Sequence, residues 1–159
     1  MNPKVTELLR TLHKTLNEID DTILQDKKDE QIVQQSVGMS IHFKDNGEAD
    51  GVLIDIMDEK FIVELNDSNN GRPMTWNDAH GQGINMPTKK QLQLMYVFKD
   101  KLNKLLLQAG GNTMQSTLYW SSTESYLYSC WVVNFYGGST DSGGIKFRSY
   151  CVRAVRKVN

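Results

Sequence analysis

YWSSTESYLYSCWVVNFYGGSTDSGGIKFRSYCVRAVRKV, residues 119–158, is the stretch on which the reading of this chain turns. Its ends, YWSST and VRAVRKV, carry the aromatic and β-branched residues of a strand-rich core. Between Ser125 and Cys151, tyrosine, hydroxyl, glycine and charged residues follow one another without a steady burial pattern. Within it Trp131, Val133 and Phe135 recur at period two toward one strand face, YGGS (136–139) supplies a turn, and Val152, Ala154 and Val155 make a final strand. GGSTDSGG (137–144) lacks the Lys-Ser/Thr ending of a phosphate loop and reads as a mobile hairpin.

Upstream, Thr88 with Gln91 three residues on makes a capping box behind Pro87. Leu92, Met95, Tyr96, Leu102, Leu105, Leu106 and Ala109 form the buried face of two helices meeting near Lys99 and Asp100, ended by Gly110 and Gly111. In MTWNDAH, Thr75 caps a short helix with Asp78 near its positive end. Earlier still, MSIHF and GVLIDIMDEKFIVEL read as strands, with Asp58, Glu59 and Lys60 turning between the last two. LNDSNNGRP is a loop. Strands, then helices, then strands predict an α+β domain over 37–159, with two or three short helices packed on an antiparallel sheet.

Residues 1–36 read as one amphipathic helix. Val5, Leu9, Leu12, Leu16, Ile19 and Ile23 recur at steps of four and three until Asp26 and Glu30 occupy the next seam positions. Such a stripe serves either packing on the helix's own domain or self-association, and its narrowness favours the second.

The order TWNDA, MPTKKQLQLMY, KDKLNKLLLQAGG, YWSSTE, WVVNF, YCVRAVR resembles the Lcl C-terminal domain family, over residues 51–157. Within it the chain is most similar to the variable proteins of diversity-generating retroelements, such as the phage receptor-binding major tropism determinant. The resemblance implies a C-type-lectin-like fold and a homo-oligomer, with a trimer preferred. It also implies that a retroelement copies a template with errors at adenines, so that asparagine-type codons become many others at chosen surface positions. Random bases in the first two positions of a codon ending in T or C never give Glu, Gln, Met, Trp or Lys. The segment 125–151 contains no Glu, Gln or Met, against seven, nine and seven in the whole chain. Its Trp131 and Lys146 stand where the resembling family keeps a fixed Trp and a fixed Lys.

The expected ligand-binding surface draws on three segments, whose loops should converge on one exposed patch. The first is Ser125, Tyr126, Leu127, Tyr128 and Ser129. The second is Tyr136, Ser139, Asp141 and Ser142; the third is Phe147, Arg148 and Tyr150. Tyrosines offer rigid contact area with a polar end, serines and glycines adaptable hydrogen bonding, and arginine a planar donor, the mixture used by paratopes. Trp120, Trp131, Phe135 and Val152 are expected beneath as a buried floor, so that losing Trp131 costs about 3–5 kcal/mol. The expected partner is a protein or surface receptor.

Other chemistry is not indicated. At 159 residues, with 18 basic and 19 acidic side chains and a net charge of -1, the chain gives no electrostatic reason for a nucleic-acid partner. No apolar run is long enough to enter a membrane, and MNPKVTELLR lacks a leader pattern, which suits a cytoplasmic or virion protein. The WND triplet (76–78) lacks the companion motif of calcium-dependent lectins and is read as helix capping. His13, His42 and His80 have no metal-ligand spacing. Formylglycine-generating enzymes share the implied fold and use cysteines, but Cys130 and Cys151 lie in the variable stretch and are themselves reachable from asparagine codons. These two either pair or stay reduced. No nucleophile has a base and an orienter, so no enzyme, metal or cofactor is expected.

Overall fold

The computed structural model describes residues 7, 10–19, 21–22, 25, 38–56 and 58–158. The chain divides into two units, Met1–Val37 and Gly38–Asn159. In the first, residues 10–19 and 21–22 are helical (α1). Leu12, Leu16 and Ile19, on one stripe of α1, are each about half exposed. The other expected seam residues, Val5, Leu9 and Ile23, lie outside the described residues, as do Asp26 and Glu30.

The second unit begins with β1 (Gly38–Phe43), β2 (Ala49–Ile56) and β3 (Glu59–Val63), paired antiparallel in that order. Val52, Ile54, Phe61, Ile62 and Val63 are buried, which makes this sheet one wall of the core. Glu59 already pairs with Ile56, and Lys60 lies opposite Asp55 with its Nζ 3.1 Å from the carboxylate. Expected in a turn, Glu59 and Lys60 are strand residues, because a favourable cross-strand ion pair extends the ladder nearly to the tip.

The middle follows its caps. β4 (Met74–Thr75) leads into α2 (Trp76–Gly81), where Thr75 Oγ1 accepts from the Asp78 N–H at 3.0 Å. α3 (Lys89–Val97) starts with the reciprocal bonds of Thr88 and Gln91. α4 (Lys99–Gln108) follows after Phe98, whose φ of -103° and ψ of 23° break the helix. Gly110 ends it at φ +83°, with its N–H bonded to Leu107 O and that of Gly111 to Leu106 O, a Schellman closure that needs a residue free to enter the left-handed region. Leu92, Met95, Leu102 and Leu106 are fully buried. α4 packs on β1 and β2, and α3 on the later strands.

Those strands are β5 (Leu118–Tyr126), β6 (Ser129–Asn134), β7 (Thr140–Ile145), β8 (Ser149–Tyr150) and β9 (Val155–Lys157). The first three form an antiparallel sheet in order β5-β6-β7, β8 pairs with β4, and β9 joins β3 to complete the sheet β1-β2-β3-β9. Among the described residues every strand pair is antiparallel, and one isolated parallel bridge links Tyr119 to Cys151. The domain is therefore α+β with antiparallel sheets.

Three further local expectations change. The final strand starts at Val155, since Ala154 O and Val152 O are taken by the N–H groups of Glu64 and Ser68 before the ladder with β3 begins. Most of GGSTDSGG is strand β7 rather than a hairpin loop, because β6 offers it a ladder. Its Gly144 is buried where an added Cβ would lie 2.8 Å from the Trp120 ring.

The third change concerns Trp131, which is half-buried rather than core. β6 is covered on both faces. Cys130 and Val132 pack into a cluster with Met74, Trp76, Met86, Trp120 and Val152. Phe135 meets Tyr96 of α3 and Tyr119 on the other side, where Val133 is also buried. Trp131 shares the α3 side but sits at its margin, with Lys89 Nζ 3.5 Å from its ring centroid. Trp131→Ala is therefore expected to cost only about 1–2 kcal/mol, a partial burial plus one cation–π contact. A urea titration showing a loss above about 3 kcal/mol would restore the core assignment.

Candidate binding surface

β5 and β6 are joined through Leu127 and Tyr128, between the paired residues Tyr126 and Ser129. Neither has a positive φ. The connection is thus not one of the primed turns that match strand twist, and the ladder shifts register between Glu124 and Tyr126 instead. Because no left-handed residue is required, this tip accepts any L side chain. The 145–148 turn is similar: the Arg148 N–H bonds Ile145 O at 2.8 Å, again with no positive φ.

The two tips lie side by side. The Lys146 N–H bonds Tyr128 O at 3.0 Å, and Ser129 pairs with Ile145. Here Tyr126, Leu127, Tyr128 and Phe147 are 74%, 75%, 63% and 70% exposed, with Ile145 at 42%. Arg148 is exposed beside them. Exposed apolar side chains gathered in one place mark an interaction site more often than isolated ones do.

Lys146 holds this end together. Nine-tenths buried, its ammonium donates to Glu124 Oε2 at 2.6 Å and Leu127 O at 3.3 Å, and lies 4.4 Å from the Trp76 ring centroid. Its carbonyl accepts the Trp76 N–H, so one residue ties the β5–β6 tip, the β7–β8 turn and α2 together. Trp76 itself is anchored by its indole N–H to Ser121 O at 3.0 Å and stacks on His80. The WND triplet thus serves helix start and packing. A single lysine between Ile145 and Phe147 was the visible signal for this staple.

Not all the expected residues meet. Ser125, half-buried, donates its hydroxyl to Ser142 O and so joins the tip to β7. Ser129 lies at the start of β6. Asp141, exposed on the outer strand, accepts the Gly143 N–H at 2.7 Å. Tyr136 and Ser139, though exposed, belong to the β6–β7 connection at the other end of β6. The expected single patch therefore divides, because antiparallel strands alternate their connections between the two ends of a sheet. That second connection is also constrained: Gly138 has φ +79°, and a Cβ there would meet the Tyr96 ring at 2.3 Å. Tyr150 is half-buried, its ring 4.7 Å from that of Trp120, and so packs on the core instead of joining the patch. Ile145, overlooked in the sequence, belongs with the exposed tip.

A depression lined by Asp50, Glu64, Asn66 and Arg156 has its charges paired, Arg156 to Asp50 at 2.5 Å and to Glu64 at 2.7 Å. Burial pushes the Asp50 carboxyl up, but hydrogen bonds from His42 and Arg156 outweigh this and hold it below the usual range. Cys130 and Cys151 are free and buried, so they do not pair, and burial raises both thiols to about 11, which disfavours the reactive thiolate. Among the described residues no three His, Cys, Asp or Glu side chains gather as a metal site. No described helix is long and apolar enough to cross a membrane.

A scan against protein-family models finds no match to this chain, and a search of curated proteins finds none.

Proposed function

We propose that the second unit is a C-type-lectin-like scaffold that binds a protein or surface receptor without catalysis, and that a retroelement diversifies its binding surface. The observation that carries the reading is the exposure of Tyr126, Leu127, Tyr128 and Phe147 on adjoining tips braced from below by Lys146. Within 125–151 the residues also separate into two kinds. Cys130, Val132, Val133, Phe135, Gly144 and Lys146 are buried and bound to the frame, while the tips are exposed on backbone that makes no demand on side-chain type. Such a division supports a segment in which chosen positions vary and the rest cannot.

Replacing Tyr126, Tyr128, Phe147 and Arg148 together by Ala is expected to change stability by less than about 1 kcal/mol, as surface changes do, and to abolish receptor capture. Calorimetry checks the first half, and unfolding of the variant would mean that these side chains are core. Diversification is tested at the DNA: a near-copy of the segment encoding residues 120–156, differing only at adenines and beside a reverse transcriptase gene, is expected.

The half-exposed Leu12, Leu16 and Ile19 of α1 favour assembly into a homo-oligomer, a trimer by the resemblance. Replacing these three by Ser should give a monomer by light scattering; an unchanged mass would assign the stripe to another role. Without the DNA near-copy, the same stripe supports the alternative, a non-diversified structural or accessory module of a phage tail or cell-surface assembly.

A further inference from the structure

The exposed tip carries one cation that the fold does not use. Lys146 is neutralised by Glu124 and covered, whereas the Arg148 guanidinium is exposed and has no hydrogen-bond or ion-pair partner among the described residues. Around it stand Tyr128, Phe147, Leu127 and Ile145, all exposed and apolar for most of their surface. Of the carboxylates on these strands, Glu124 is held by Lys146 at 2.6 Å, and Asp141 lies along β7 and accepts from Gly143. An unpaired arginine at the rim of an aromatic patch is a donor of five N–H groups that is more weakly hydrated than an ammonium and matches a carboxylate bidentately.

Resting on the binding reading above, we infer that the partner of this surface is an apolar protein segment with a carboxylate beside it, taken up by Arg148. The aromatic and aliphatic side chains cover the apolar part, and the arginine selects the charge. A nucleic acid or an anionic lipid surface would need several free cations to compete with its counterions, and among the described residues the two tips carry one. The exposed carboxylate of Asp141 further opposes an anionic membrane.

Selection of a randomised linear-peptide library displayed on yeast against the full-length protein tests this. The enriched pool is expected to carry Asp or Glu next to Leu, Phe or Trp. An enriched peptide should bind Arg148→Glu about tenfold more weakly, while the thermal midpoint of that variant stays unchanged, and it should not bind the Tyr128→Ser/Phe147→Ser double variant. Peptides that bind Arg148→Glu as well as the parent overturn the carboxylate and leave the binding surface standing. Enrichment that survives the double variant overturns the surface itself. A pool no richer than a blank overturns the inference, as does retention of the protein on phosphatidylglycerol vesicles in place of peptides.

Discussion

An Arg153→Ala variant is expected to lose about 3–5 kcal/mol of stability, the penalty for breaking a buried pair and stranding the remaining charge. Arg153 is fully buried, and all its donors are used. Nε bonds Asp67 at 2.5 Å, one terminal nitrogen reaches Glu64 O and Leu65 O, and the other Asn112 O and Thr113 O. Asp67 also accepts from Tyr119 and Gln115 at 2.8 Å each. One guanidinium therefore joins the end of β3, the 64–68 loop, the segment after α4 and the approach to β9. Its removal takes a donor from four carbonyls and leaves the Asp67 charge without its cation, with only the bonds from Tyr119 and Gln115 remaining. Urea denaturation reads the loss as a lower midpoint. A cost below about 1 kcal/mol would mean that the segments are held by their packing alone. The double change Asp67→Leu/Arg153→Met should recover part of the loss, because it removes the buried charges together.

Trp120→Ala is expected to cost about 3–5 kcal/mol, the range for deleting a large buried aromatic. The residue is fully buried where the three-stranded sheet meets β4, β8 and α2. Its indole N–H bonds Met74 O at 2.9 Å, and its ring lies against Tyr150 and over Gly144. Deleting it leaves a cavity that these rigid neighbours cannot close, and a carbonyl without its donor. Trp120→Phe fills most of the space but not the bond, so it should cost less than the alanine change; equal losses would show that the hydrogen bond, not the volume, carries the energy. Set beside the small effect expected at Trp131, the pair separates the tryptophan that belongs to the core from the one that rims it.

Helix caps were the most legible signals. Thr75, Thr88, Gln91 and the glycines at 110 and 111 act as their spacing announced, because caps are bonds between residues three or four apart and need no distant partner. The paired helices, the early hairpin and the antiparallel character of the sheets followed from periodicity in the same way. Exposure of Tyr126, Leu127, Tyr128 and Phe147 was also legible, since they break the alternation that burial imposes.

What the chain's order of residues could not decide is which exposed segments meet. Tyr136 and Tyr128 look alike in the sequence, yet β6 separates them because each hairpin reverses at the opposite end of the strand. Tyr150 looks like its neighbours Phe147 and Arg148, yet pairing of β8 with β4 turns its ring onto Trp120. Lys146 and Arg153 belong to residue types that usually stay at the surface, yet both are buried, because their partners Glu124 and Asp67 arrive from 22 and 86 residues away. The sequence by itself determined most of the elements, their caps and the residue types exposed at the tips, all set by interactions within a few residues. Tertiary structure alone decided which offers share a surface and which charges are sealed inside, since both depend on contacts between segments that no local spacing encodes.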